Sequence, residues 1–221
     1  MIKIGSISLL LLLTHGYINA QCTYEDIFPV EHGITKFDAT NKITSNENIE
    51  KDPPGFVSNP WDKPDYLNGD SVLVTYLGYH YSYSPCFNGK ENKGKLKFVD
   101  DSLYKIRVDL IFSSEDIKKL QDNYNMLVSI FKNIFPSWER YTSTRRRTGE
   151  QIGKGYWFYP SSKENRDIVK VDKLSIGYEI KYEKKYNSLE KEWYNTGNIE
   201  NYNISINYVN LKGTKLTGEG Y

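Results

Sequence analysis

The sequence predicts an α+β fold: a curved antiparallel sheet of about six to seven strands packed on one long helix at about 114–135, with an irregular N-terminal arm. Three observations predict it. Segments with one apolar and one polar face lie on both sides of a single amphipathic helix. Turn residues separate neighbouring strands at short range, as an antiparallel meander requires. A cluster of prolines breaks regular structure upstream of the first strand.

Residues 1–20 read as a cleaved secretory signal. Lys3 gives a positive start, Ile7–Leu13 an apolar core, and Ala20 a small residue where signal peptidase cuts. Seven core residues fall far short of the roughly 20 that span a bilayer, so no transmembrane segment is expected after cleavage. The expected location is secreted or periplasmic. Lipid anchoring at Cys22 fits poorly, because Asn19 and Gln21 stand where a lipoprotein signal has Leu and a small residue. Cys22 and Cys86 are the two cysteines of the chain, and in an oxidising compartment they are expected to form one disulfide.

Residues 21–70 make the arm. Pro53-Pro54-Gly55, Asn59-Pro60-Trp61 and Pro64 hold four of the eight prolines, which excludes a continuous strand or helix through this stretch. Residues 71–221 then form a single α+β domain. Val72, Val74 and Tyr76 alternate with Leu73, Thr75 and Leu77, and Tyr79, Tyr81 and Tyr83 share one face. Leu96 and Phe98 alternate with Lys95 and Lys97. After Asp100-Asp101-Ser102, the residues Tyr104, Ile106, Val108, Leu110 and Phe112 alternate with Lys105, Arg107 and Asp109.

The helix follows, with Ser113 or Ser114 as cap and Glu115 and Asp116 set against the dipole. Ile117, Leu120, Tyr124, Leu127, Phe131 and Ile134 step by three and four, Val128 and Phe135 widen the stripe, and Pro136 stops it. Tyr156–Tyr159, Leu174–Tyr182 and Ile204–Tyr208 return to strand patterns, with Asn195–Asn198 as the turn before the last.

Composition narrows the chemistry. Removing the signal leaves 28 cations against 28 anions, so overall charge gives no reason to expect a nucleic-acid partner. Only His32 and His80 survive signal loss, and there is no Gly-x-Ser-x-Gly elbow or His-Glu-x-x-His pair. Gly149, Gly153, Lys154 and Gly155 miss the phosphate-loop spacing by one residue and lack the following Ser or Thr. No catalytic residue, metal ligand or cofactor is therefore assigned. Glu139, between Trp138 and Arg140 and near Tyr141, is the carboxylate to inspect for a glycosidase-type pair.

Two groups carry binding expectations. Arg140, Arg145, Arg146 and Arg147 are four of six arginines, gathered in a Thr/Ser-rich segment read as a loop, and form the candidate partner-binding site. Tyr79, Tyr81, Tyr83 and Trp157 are candidates for stacking on glycans. The leading expectation is an exported non-catalytic binding protein that takes another protein as partner, in the manner of an inhibitor or immunity-type factor. The alternatives are a carbohydrate-binding or cell-envelope-associated module and a carboxylate-dependent hydrolase. The sequon Asn203-Ile204-Ser205 matters only in a eukaryotic source.

Overall fold

The computed structural model describes residues 22–52, 65–67, 70–72, 74–144, 151–160, 173–188 and 192–210. Among the described residues, three helices, α1 (Tyr24–Ile27), α2 (Lys36–Thr44) and α3 (Ile117–Ile134), accompany ten strands. β1 (Ile49–Lys51), β4 (Val74–Tyr81), β5 (Glu91–Val99), β6 (Ser102–Ser113), β7 (Ser137–Thr144), β8 (Gln151–Tyr159), β9 (Lys173–Asn187) and β10 (Glu192–Val209) form the main sheet. Among the described residues, β2 (Asp65–Leu67) and β3 (Asp70–Val72) pair with each other alone.

The main sheet is antiparallel throughout and open, in the order β1-β4-β5-β6-β10-β9-β8-β7. The chain builds one meander out to β6 and crosses over through α3 to the far edge at β7. It then returns strand by strand until β10 closes against β6. Turn chemistry guides the first half: Asp100 and Asp101 both adopt positive φ (48° and 64°), as a tight two-residue hairpin between β5 and β6 requires.

One face of the sheet carries the core. Ile106, Val108, Leu110 and Phe112 of β6 meet Tyr202, Ile204 and Ile206 of β10 on this face, all buried. α3 lies over β6, β10 and β8. Leu120, Tyr124, Leu127, Val128 and Phe131 are buried beneath it, while Ile117 and Ile134, at the two ends of the helix, stay about half exposed. The helix begins three residues later than its charge pattern implies. Ser113 Oγ donates to the Asp116 carboxylate instead of capping the helix, and Asp116, at the N-cap, makes no side-chain cap bond.

The arm holds regular structure within residues 22–52, while the stretch with Pro53, Pro54, Pro60 and Pro64 lies outside the described residues. Thr23 and Asp26 form a capping box on α1, and Thr35 caps α2 through the Asp38 amide. β1 extends the sheet by pairing with β4. Cys22 and Cys86 form the expected disulfide, which ties the arm to the β4–β5 connection. The Asn123 side chain of α3 donates to the Cys86 carbonyl at 2.7 Å, and Tyr81 donates its hydroxyl to the Ile27 carbonyl at 2.8 Å. Arm, helix and sheet thus share one buried seam.

Two local readings change. Arg140, expected in one loop with Arg145, Arg146 and Arg147, sits instead on strand β7. Asn195–Asn198 is no hairpin turn but an irregularity inside β10, where the register with β9 shifts between Asn195 and Ile199. There Gly197 takes φ 87°, and Glu183 accepts hydrogen bonds from Thr196 Oγ1 and Asn198 Nδ2. The hairpin itself closes further upstream, between Asn187 and Glu192.

Candidate functional site

The helix-free face of the sheet and the β7 edge hold the groups with binding chemistry. Strand pairing sets their order. Glu50, His80, Lys93, Asp109, Ser205, Gly177, Gly155 and Tyr141 form one row across all eight strands. Beside it run Lys95, Arg107, Asn207, Ser175 and Trp157, and beyond that Lys97, Lys105, Val209 and Lys173. The period of two that buries the β6 apolar residues delivers these polar ones to the opposite face.

At the centre, Arg107 grips Asp109 with two bonds, Nε to Oδ2 at 2.6 Å and Nη2 to Oδ1 at 3.0 Å. Ser205 Oγ donates to the same carboxylate, and Asn203 Nδ2 donates to Ser205 Oγ at 2.9 Å. Burial pushes the Asp109 carboxyl up, but the Arg107 bonds and charge, with those from Ser205 and Asn203, outweigh it and hold it below the usual carboxylate range. Asn203 is only 1% exposed, so the amide of the sequon is folded away.

Towards β7 the face becomes aromatic. Gly155 and Gly177 sit opposite each other, and the Tyr141 side chain fills the space a Cβ at either would need. Its ring stacks on Trp157 with centroids 5.0 Å apart and planes 23° from parallel. Burial, with the nearby Glu179 charge, raises the Tyr141 hydroxyl. The Lys173 ammonium lies 3.8 Å from the Trp157 centroid. A notch of about 140 Å³ opens here, bounded by Arg107, Tyr141, Ser143, Glu179, Ser205 and Asn207.

The other side of the β7 edge interleaves cations and rings. Lys132, in the last turn of α3, places its ammonium 4.1 Å from the Trp138 centroid and 4.7 Å from that of Tyr156. The Arg140 guanidinium lies 5.6 Å from Tyr156, and Lys154 lies 5.5 Å from Tyr178. Trp138, Arg140 and Lys154 are all exposed. β7 pairs with β8 on one side and, among the described residues, with no strand on the other.

The residues singled out from sequence part company. Arg140 is exposed on β7, whereas Arg145, Arg146 and Arg147 lie outside the described residues. Tyr79 and Tyr81 are 0% and 7% exposed, packed edge to face in the core, so they offer no face to a glycan. Only Tyr83 of that trio is exposed, at 60%. The error is physical: β4 buries the side of alternation that carries its large rings, and Gly94 on β5 makes room for the Tyr79 ring. Trp157 remains on the outer face, half-buried and joined by Tyr141, Lys173 and Arg107, which were not singled out. The odd-numbered polar positions of β6 were the available signal.

Glu139 is exposed and faces Trp157 across β7 and β8. The two histidines serve the framework: His80 lies between Glu50 (3.0 Å) and Asp52 (3.2 Å), and His32 Nε2 lies 3.2 Å from the Tyr208 carbonyl. No described helix is long and apolar enough to cross a membrane. No protein-family model, no curated protein and no solved structure matches this chain.

Proposed function

We propose that the protein is an exported, non-catalytic binding protein that takes another protein as its partner, as an inhibitor or immunity-type factor does. One observation carries the reading: β7 is an eight-residue edge strand, unpaired on its outer side among the described residues and flanked by the cations Arg140, Lys132 and Lys154. Open edges accept an extended segment through main-chain hydrogen bonds, while flanking side chains choose which segment. Here the cations select an acidic one. Arg145, Arg146 and Arg147 follow β7 directly in sequence and lie outside the described residues.

Export rests on the signal-like residues 1–20, cleaved after Ala20 into the secretory or periplasmic space. The Cys22–Cys86 disulfide is compatible with that address. The test is affinity capture with the oxidised chain from Gln21 to Tyr221, run beside Arg140→Glu/Lys154→Glu. The wild type retains one stoichiometric protein and the charge-reversed chain does not.

A further inference from the structure

We propose that the partner's segment is a β-strand with acidic side chains at every second position, added to the sheet along β7. The inference rests on the β7 reading above and fixes the chemistry of the segment that this edge accepts. Register supplies the first argument. Trp138, Arg140 and Thr142 share the α3 side of β7, opposite Phe158, Tyr156 and Lys154 of β8. They recur every second residue, about 7 Å apart along the strand. A strand paired outside β7 sets one residue opposite each of them on that face. The residues between turn to the helix-free face.

Charge supplies the second argument. Lys132 of α3 places its ammonium between the Trp138 and Tyr156 rings, 4.1 Å and 4.7 Å from their centroids. Arg140 stands in the next row, and Lys154 in the row of Thr142. Three cations therefore attend three successive rows. An aromatic ring attracts a cation without neutralising it, and none of the three forms an ion pair among the described residues. Glu139, next to Arg140 in sequence, belongs to the other face of β7, opposite Trp157.

The third argument excludes other spacings and one other occupant. In a run of consecutive acids, every second carboxylate turns to the helix-free face beside Glu139 and meets none of the three cations. Alternation brings every acid to the cationic face. A second copy of this chain fits less well. The alternate acids at its opposite edge, Glu50 and Asp52, are already engaged by His80 at 3.0 Å and 3.2 Å.

The probe is a disulfide-closed β-hairpin peptide, ordered in advance so that binding need not fold it. One version alternates three Glu with Thr on its outer strand. The other has the same composition with the three Glu consecutive. Each is titrated into the oxidised chain from Gln21 to Tyr221 at about 0.15 M salt, with backbone amides followed by NMR. The alternating hairpin is expected to bind about fivefold or more tightly than the consecutive one, with shifts centred on Ser137–Thr144. Arg140→Glu/Lys154→Glu is expected to erase that preference, and Lys132→Gln to reduce it by about half. N-methylating an outward amide of the alternating hairpin is expected to abolish binding. If the double variant loses its near-ultraviolet circular dichroism, Lys132→Gln decides.

Equal affinity for the two hairpins, no binding by either, or shifts away from β7 overturns the proposal. So does a preference that survives charge reversal, or self-association of the free chain that Arg140→Glu abolishes. Affinity capture distinguishes this failure from failure of the β7 reading itself. If the hairpins fail while wild type still retains a partner that the charge-reversed chain loses, the alternation falls and the edge reading stands. If capture fails as well, both fall.

Discussion

Tyr141 lies over Gly177: a Cβ at position 177 would run into its hydroxyl, and the same ring stacks on Trp157 at 5.0 Å. Backbone and aromatic platform are therefore one unit. Gly177→Ala is expected to push Tyr141 off Trp157, cost about 1–3 kcal/mol and change the tryptophan fluorescence. In a Tyr141→Ala background most of that cost disappears. Denaturant midpoints across the double-mutant cycle measure it, and strict additivity contradicts it.

The Cys22–Cys86 bond closes a loop across 64 residues. Restricting an unfolded loop of that length is worth about 4 kcal/mol in the chain-entropy model. Cys22→Ser/Cys86→Ser is expected to lower the melting temperature by about 10 °C, with the arm released first. Calorimetry gives the first quantity and amide exchange over 22–52 the second. A melting temperature within about 2 °C of wild type refutes it.

Asp109 predicts an acid-side signature. Its folded pKa is depressed, so the stability it supplies is fully present above the unfolded value of about 3.9 and is lost as pH falls through the folded one. Asp109→Asn removes this contribution. The stability gap between wild type and variant is expected to be widest at neutral pH and to shrink below about pH 4. Denaturant titrations at several pH values read it, and a gap that widens on acidification contradicts the assignment.

The sequon at Asn203 is expected to stay unmodified in the folded protein. Its amide is 1% exposed, donates to Ser205 at 2.9 Å and lies in a strand between β6 and β9. A glycan there cannot coexist with these contacts. Secretion from a glycosylating host followed by intact-mass measurement should give the bare polypeptide. A fully occupied site on natively folded protein overturns the burial argument.

Periodicity made much of this architecture legible. Strict alternation in Tyr104–Phe112 and the three-and-four spacing of Ile117–Ile134 each reported a buried face, and burial is what periodicity encodes. β7 escaped because an edge strand buries little: Trp138, Glu139 and Arg140 are all exposed, so its sequence carries no apolar alternation. The arm helices escaped because they are short: α1 buries Ile27 and α2 buries Ala39 and Ile43, too few positions to draw a periodic stripe. At the site, alternation located the polar face of β6. It did not show that β10, far along the chain, lies beside it and joins Ser205 and Asn203 to Asp109. Nor did it show which side of β4 the tyrosines take, since both faces of that strand begin apolar.

The most direct test of the binding role is quantitative capture with wild type and Arg140→Glu/Lys154→Glu side by side, using oxidised chain and mass-spectrometric readout. The account predicts one protein at near-equal stoichiometry on wild type and its loss, by about tenfold or more, on the variant. Equal recovery on both chains, or no protein on either, contradicts it.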